Sequence, residues 1–367
     1  MHIQAALLRA AHQPWEVTEL TLDEPDPGEV RVKIAASGVC HSDHHLASGA
    51  TQHPMPVVGG HEGAGIVEAV GAGVKGIREG DHVVLNWAPY CGHCFYCEHG
   101  KPNLCDTFIG PIWAGTMMDG STRLHEDGKD VYAFSALASF ADYAVVPQES
   151  CVVIRPDAPL EVAALVGCAV ATGVGAAMYT AGVRPGESAV VLGCGGVGLS
   201  ILQGAALCGA GTIIAVDTNP AKMALARSMG ATQALINDAG LLESVRGLTH
   251  GRGADHVFEA VGIPALQESA LQLVRPGGTV VLAGLSAMGS GTNLPGAVIT
   301  RKEIAIKGSY YGTVTPHRDF PLLIDLYLSG RLKLDQMISA RYPLEQINEA
   351  FQTMLAGETA RGVIVFE

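Results

Sequence analysis

The 367-residue chain is long enough for two domains, and with 48% hydrophobic against 16% charged residues it can bury a large core. A formal net charge of −13, with no basic arm or stripe, argues against a nucleic-acid or anionic-membrane partner. Met1 to Pro14 lack the order of a secretory signal, so a cytoplasmic protein is expected. The nine cysteines then point to metal binding rather than to a disulfide framework.

From Gln4 to about Pro147 the chain reads as short strands between turns. Val30–Ile34 alternates in the strand manner after the turn signal Pro25-Asp-Pro-Gly28, and Gly63–Val74 and Gly80–Leu85 follow as Gly-studded strands and turns. This suggests a barrel-like lobe. From about Asp157 helices and strands alternate. Helices are predicted at Glu161–Thr180, Gly196–Cys208, Pro220–Met229 and Pro264–Leu273, with strands at Ala189–Leu192, Ile213–Asp217, His256–Ala260 and Thr279–Ala283. Such alternation implies an α/β unit with a parallel sheet and helices on both faces. A strand at Ile304–Gly308 and helices at Phe320–Ser329 and Leu344–Ala356 complete the chain. Two uncharged stretches, Val162–Val183 and Ser188–Val216, have the length of a membrane span, but their Gly and Ala content fits a buried core better.

Cys40 to Glu62 concentrates metal-ligating chemistry: one thiol, five imidazoles, Asp43 and Glu62 within 23 residues. Cys40 and His61 could supply two ligands to a zinc ion that keeps one position open. Cys91, Cys94, Cys97 and Cys105, spaced x2, x2 and x7, can wrap one tetrahedral zinc with no open position, which would make it structural. Iron–sulfur ligation is the competing use of such a cluster. Cys168 on its own reads as a small buried hydrophobe. It gains weight because Cys40 and His61 need a third donor, and ligands usually bind between lobes.

Gly193-Cys-Gly195-Gly196-Val197-Gly198 follows the apolar strand Ser188–Leu192 and opens a helix, the context a dinucleotide-binding loop requires. Its glycines let backbone approach a pyrophosphate at a helix N-terminus. Asp217 ends the next strand, where a carboxylate accepts the ribose hydroxyls and repels a 2′-phosphate, favouring NAD over NADP.

In this order, Cys40-His-Ser-Asp43, Gly60-His-Glu-Gly-Ala-Gly-Ile-Val67, the Cys91–Cys105 knuckle, Gly167-Cys168 and Gly193–Gly198 resemble the zinc-dependent medium-chain alcohol dehydrogenases over essentially the whole chain. Ser42–Leu46 and Leu104-Cys-Asp are similar to an actinobacterial branch that includes enzymes with tightly held NAD. The resemblance implies a GroES-like β-barrel-type catalytic domain, residues 1–155 and 297–367, with a structural zinc lobe at about 91–105. A Rossmann doubly wound parallel-sheet domain would occupy residues 156–296.

It further implies a catalytic zinc on Cys40, His61 and Cys168, with Glu62 as a neighbour or transient fourth ligand, and a second zinc on the four-cysteine knuckle. Asp43 would orient His61, Ser42 would take the alcohol proton, and His45 would end the relay as a surface imidazole. His41 stands where the family often has an Arg facing the pyrophosphate. Thr172 and Val197 match nicotinamide-side contacts, Lys222 an adenosine-ribose contact and Arg361 a pyrophosphate contact. Trp87 and Trp113 match positions lining the substrate channel, beside Phe134 and Leu294. His44, His53, His93 and His99 are read as solvated loop histidines.

The implied activity is reversible oxidation of an alcohol to an aldehyde or ketone by hydride transfer to NAD. Two enzymatic alternatives are weighed: a nicotinoprotein that never releases NAD and uses another acceptor, and a glutathione-dependent formaldehyde dehydrogenase. Thr51 and the uncharged run after Asp106 disfavour the latter, since anchoring charges are expected there. The non-enzymatic alternative is an NAD-binding redox sensor, whose relatives typically lose the zinc ligands. The long segment Asp106–Ser139 leans toward a homodimer paired around Asn293–Ile306, with a tetramer as the alternative.

Overall fold

The alternation predicted for Val30–Ile34 extends, in the computed structural model of residues 1–357 and 360–367, to a ten-residue strand, Glu29–Gly38. Val30, Val32 and Ile34 turn into one core with Val67, Val83, Leu85, Ala144 and Val146, as period-two geometry requires. Each such aliphatic side chain, fully buried, stabilises the fold by about 1.5–3 kcal/mol. The partner strand Gly63–Val70 runs antiparallel to it, with Ser37 opposite Gly63 and Ala36 opposite Ala64. That register has a functional consequence. It brings the exit of one strand, leading to Cys40, beside the entry of the other, which follows His61 and Glu62. The Gly38 amide donates to the Glu62 carbonyl at 3.0 Å. Near the C-terminus Arg361–Val365 pairs on the other edge of Glu29–Gly38, with Val363 opposite Gly38, so Arg361 arrives at the same corner.

These strands belong to a seven-stranded sheet ordered Cys151–Ile154, His82–Leu85, Gly63–Val70, Glu29–Gly38, Arg361–Val365 and Ile338–Tyr342, with Tyr143–Pro147 also paired to Glu29–Gly38. A closed barrel is formed by His2–Leu8, Glu16–Leu22, Leu124–Glu126, Lys129–Ala133 and Val57–Val58. Together they make the first unit, Met1–Cys168 with Thr315–Glu367. Trp15 stacks on Phe351 (5.7 Å) and meets Phe140 edge-on (5.9 Å) in its second core.

The second unit, Ala169–Val314, is a six-stranded sheet ordered Gln233–Ile236, Thr212–Asp217, Ser188–Leu192, Ala254–Glu259, Val274–Leu282 and Ala305–Gly308. Every pairing is parallel. In chain order this is 3-2-1-4-5-6, the doubly wound arrangement whose ligands lie at the carboxyl ends of the strands.

The unit boundaries fall at Cys168/Ala169 and Val314/Thr315, rather than at the expected 155/156 and 296/297. The helix Leu160–Ala164 buries Val162, Ala163 and Ala164 and stays with the first unit, whereas Ala305–Gly308 completes the second sheet. The helix predicted over Glu161–Thr180 is divided into Leu160–Ala164, a turn at Leu165–Gly167, Ala169–Gly175 and a π-helical segment, Ala176–Ala181. Cys168 interrupts it with φ −144° and ψ −74°. Among the described residues no single helix is long and apolar enough to cross a membrane, although the pair Leu160–Gly167 and Ala169–Ala181 together meets that length and composition.

Candidate active site and metal centres

Cys40 is extended (φ −125°, ψ 152°) and stands immediately before the short helix His41–Ala47. Asp43 and Leu46, one turn apart on that helix, are buried, while His41 is exposed and His44 and His45 are half-buried. Ser42 Oγ lies 3.8 Å from Cys40 Sγ. Asp43 Oδ1 accepts from the Gly60 amide at 2.9 Å, and Oδ2 sits 3.1 Å from His61 Nδ1. Only glycine fits position 60: φ is +91°, and a Cβ would lie 2.4 Å from the Phe140 amide nitrogen. Phe134 packs edge-on against the His61 ring at 5.5 Å.

Both His61 ring nitrogens are buried and make no well-aligned hydrogen bond; Nδ1 faces Asp43, so Nε2 is the nitrogen left for a ligand. A ring nitrogen of His61 and one ligand atom each of Cys40, Cys168 and Glu62 lie within 4.8 Å of one another, all in buried residues. Two thiols and an imidazole, dry and converging, form the donor set that zinc prefers. Cys168 is carried into this group by the backbone break at its own position. Gly167 allows it, since a Cβ there would lie 2.9 Å from the Leu85 carbonyl oxygen.

Protonation fits the same assignment. The Cys40 thiol is held well below its usual range by hydrogen bonding to Cys168, against burial, with the Arg361 charge assisting. Cys168 is pushed up by that same hydrogen bond and by burial, so the pair shares a proton. Burial works against a charged His61, yet Asp43 and then Cys40 raise it well above the ordinary imidazole value. A metal ion displaces such protons when it binds.

Glu62 is fully buried, and burial pushes its carboxyl up to about 8 against the lowering effect of Arg361. Its Oε1 accepts from Arg361 Nη2, while Oε2 has no hydrogen-bond partner. A Cβ at Gly38 would lie 2.1 Å from that oxygen, so glycine makes the room it occupies. Arg361, expected at a pyrophosphate, is 5% exposed; it donates to Glu62 and to the Val39 carbonyl at 3.0 Å and also interacts with the Cys40 thiol.

The four-cysteine knuckle gathers Cys91, Cys94, Cys97 and Cys105 within 4.8 Å of one another. The amides of Cys94 (3.3 Å) and His93 (3.5 Å) and the Thr107 hydroxyl (3.2 Å) donate to Cys91 Sγ, and the Cys91 amide donates to Cys105 Sγ at 3.4 Å. Donors aimed at sulfur are what thiolates require.

In the second unit, Gly193 has φ +96° and a Cβ there would meet Val261 at 2.4 Å, while a Cβ at Gly198 would lie 1.8 Å from the Gly193 carbonyl oxygen. Gly195, by contrast, faces open space, and Gly196–Leu207 begins with no side-chain cap, leaving its first amides for a ligand. Asp217 Oδ2 accepts from the Cys194 amide (2.8 Å) and Oδ1 from Asn219 (3.0 Å), with Lys222 Nζ 3.6 Å away. Thr172 is buried and Val197 half-buried.

Other expectations need correction. His45 is half-buried rather than a surface imidazole, and its Nδ1 has no partner. His53 is half-buried, not solvated: its Nδ1 is 2.8 Å from the Pro54 carbonyl and its ring meets Phe134 at 5.7 Å. His93 and His99 are exposed, as read, and His44 is half-buried. Trp87 packs beside the sheet core, whereas Trp113 is 39% exposed on the helix Asp106–Ala114. The pairing of Glu62 with Arg361, 299 positions apart, was missed and has no local sequence signal.

The geometry has matches among known proteins. The family model described as "Alcohol dehydrogenase GroES-like domain" matches residues 26–156, and "Zinc-binding dehydrogenase" matches 196–329. An NDMA-dependent alcohol dehydrogenase of Amycolatopsis methanolica is 42% identical, covering 100% of this chain and 99% of its own. An alcohol dehydrogenase zinc-binding domain protein from Burkholderia ambifaria superposes with a TM-score of 0.95 at 34% identity, covering 100% and 99% of the two chains. Benzyl alcohol dehydrogenase from Acinetobacter calcoaceticus gives 0.94 at 31%, covering 100% of both.

Proposed function

The chain belongs to the zinc-dependent medium-chain alcohol dehydrogenase family, and from that premise we propose that Cys40, His61 and Cys168 hold a catalytic zinc, that the Cys91–Cys105 knuckle holds a second, structural one, and that NAD is the redox partner. The protein is an alcohol oxidoreductase whose substrates are small molecules. The observation that carries the assignment is the unpartnered His61 Nε2 among buried sulfur donors.

A zinc ion in that position supplies Lewis acidity, which makes an alcohol hydroxyl easier to deprotonate. The nicotinamide supplies the hydride acceptor. The rest is work for the chain itself. Asp43 fixes the His61 ring through Nδ1, so that Nε2 points to the donor cluster. Ser42, beside Cys40, accepts the hydroxyl proton, and His45 on the next turn of the helix takes it onward through its free Nδ1. Phe134, 3% exposed, walls off the His61 ring from water. Arg361 sets a buried positive charge beside the thiols, and Glu62 accepts a hydrogen bond from it without either side chain meeting solvent. Asp217, with one hydrogen bond on each oxygen and Lys222 nearby, keeps lone pairs for ribose hydroxyls.

A second reading is favoured by the NDMA-dependent relative: the cofactor stays bound and another acceptor takes the electrons. One experiment separates the two. Denaturing the purified protein and assaying the supernatant for NAD(H), alongside turnover with added NAD⁺, gives cofactor release without NAD⁺-driven turnover only for the second. Neither bound nor usable NAD(H) would overturn both.

The edge strand Ala305–Gly308, with exposed Leu285, Met288, Leu294 and Val298 nearby in sequence, supports a homodimer paired through that edge. Sedimentation as a monomer at micromolar concentration would contradict it.

A further inference from the structure

Immediately after Ala305–Gly308 the backbone enters an unusual state. Tyr311, Gly312 and Thr313 in succession have positive φ, at 55°, 63° and 59°. Two of the three carry a Cβ that disfavours this region, and such strain persists only where the surroundings over-determine it, typically at ligand clamps. The turn lies at the carboxyl end of the parallel sheet, the same edge that carries Gly193–Gly198 and Asp217.

Two observations show how tightly it is placed. A Cβ on Gly312 would lie 2.5 Å from the Ala171 carbonyl oxygen and 2.7 Å from that of Thr172, and one on Gly175 would lie 2.5 Å from the Gly312 oxygen. One layer further, a Cβ on Gly173 would lie 2.4 Å from the Val197 oxygen. The turn, the helix Ala169–Gly175 and the helix that opens at the glycine loop therefore form one glycine-mediated stack. The second observation is a hydroxyl triad. Thr180 Oγ1 shares hydrogen bonds with Ser309 Oγ (2.9 Å) and Thr313 Oγ1 (2.8 Å), while Lys307 Nζ donates to the Thr180 carbonyl at 3.1 Å. Thr180 and Ser309 are buried. Thr180 itself sits in the π-helical segment Ala176–Ala181, a distortion found mostly at functional sites.

We propose that Thr180, Ser309 and Thr313 form a clasp that holds the left-handed turn against Thr172 and thereby sets how slowly the dinucleotide leaves. They are positioning residues. The inference rests on the cofactor reading of Gly193–Asp217 and adds to it a determinant of retention. With the clasp closed, release waits on the turn; with a hydroxyl removed, the strained backbone relaxes and the edge opens more often.

The test is stopped-flow displacement of NADH from the full-length protein and from Thr180→Val, Thr180→Ser and Thr313→Gly. Thr313→Gly deletes a hydroxyl at a position whose positive φ glycine adopts readily, so a misformed turn cannot account for its effect. NADH leaves Thr180→Val and Thr313→Gly faster by about tenfold, the scale of one lost buried hydrogen bond, with zinc content unchanged. Thr180→Ser, which restores the hydroxyl, stays within about twofold of wild type. Wild-type release rates in both Thr180→Val and Thr313→Gly would overturn the clasp alone. Failure of the wild-type protein to bind NADH at all would overturn the cofactor reading, and the clasp with it.

Discussion

The two sulfur-rich centres of this molecule are built by opposite routes. Cys91, Cys94, Cys97 and Cys105 come from one stretch of 15 residues, three of them half-buried, and their sulfurs are supported by amides of that stretch and by the Thr107 hydroxyl from the helix that follows it. Cys40, His61, Glu62 and Cys168 come from three distant parts of the chain, are all buried, and are aligned by strand register, a helix break and the far-C-terminal Arg361. A local loop can close around an ion whatever its neighbours do. A site assembled by register depends on the whole sheet, and in return it gains burial, an orphaned ligand atom and a choice of which position stays open. The first suits scaffolding and the second catalysis.

The comparison can be broken first at the ligands. Cys40→Ala is expected to abolish alcohol oxidation while the knuckle keeps its metal. Cys97→Ser should do the reverse: it loses the structural metal and lowers the unfolding midpoint, by about 2–4 °C per kcal/mol lost, while protein that remains folded retains its turnover number. Thermal melts and rates normalised to folded fraction check this. A variant of Cys97 that loses all specific activity without unfolding would erase the distinction.

Smaller effects sharpen it. Asp43→Asn keeps the shape but replaces the carboxylate oxygen facing His61, and should cost about 10–100-fold in activity or metal affinity, measured by metal-buffered titration. Thr107→Val removes one donor to Cys91 Sγ from an exposed position on the helix Asp106–Ala114. Its effect should be the smallest, an increase of no more than about tenfold in the rate of metal loss to a chelator, with turnover unchanged.

The same contrast decides what was legible in the sequence. The gathering of the knuckle cysteines and the strand–loop–helix of Gly193–Asp217 are legible because the residues concerned lie close together in sequence and their context is local. Cys40 and His61 stood out by composition, but their closeness depends on Ser37 pairing with Gly63, which no local pattern specifies. The helix break at Cys168 is hard to place because the stretch is apolar on both sides and no Pro marks it; Gly167, directly before it, is the one local signal, in a chain where glycine is common. The edge strand Gln233–Ile236 is four residues long with no buried position, so it carries no strong period, whereas the helix Leu241–Leu248 sets Leu241, Leu242, Val245 and Leu248 on one face and is legible from its spacing. The pairing of Arg361 with Glu62 is illegible because nothing in the sequence around Arg361 refers to a residue 299 positions away.

The central claim, that one protein holds two zinc centres with separate duties, is tested most directly by metal analysis and alcohol turnover of Cys40→Ala beside wild type. The account predicts about two equivalents of zinc per wild-type chain, and about one in the variant, with a near-native melting curve and no alcohol oxidation. Retention of both metals, or of substantial alcohol oxidation, by the variant would contradict it.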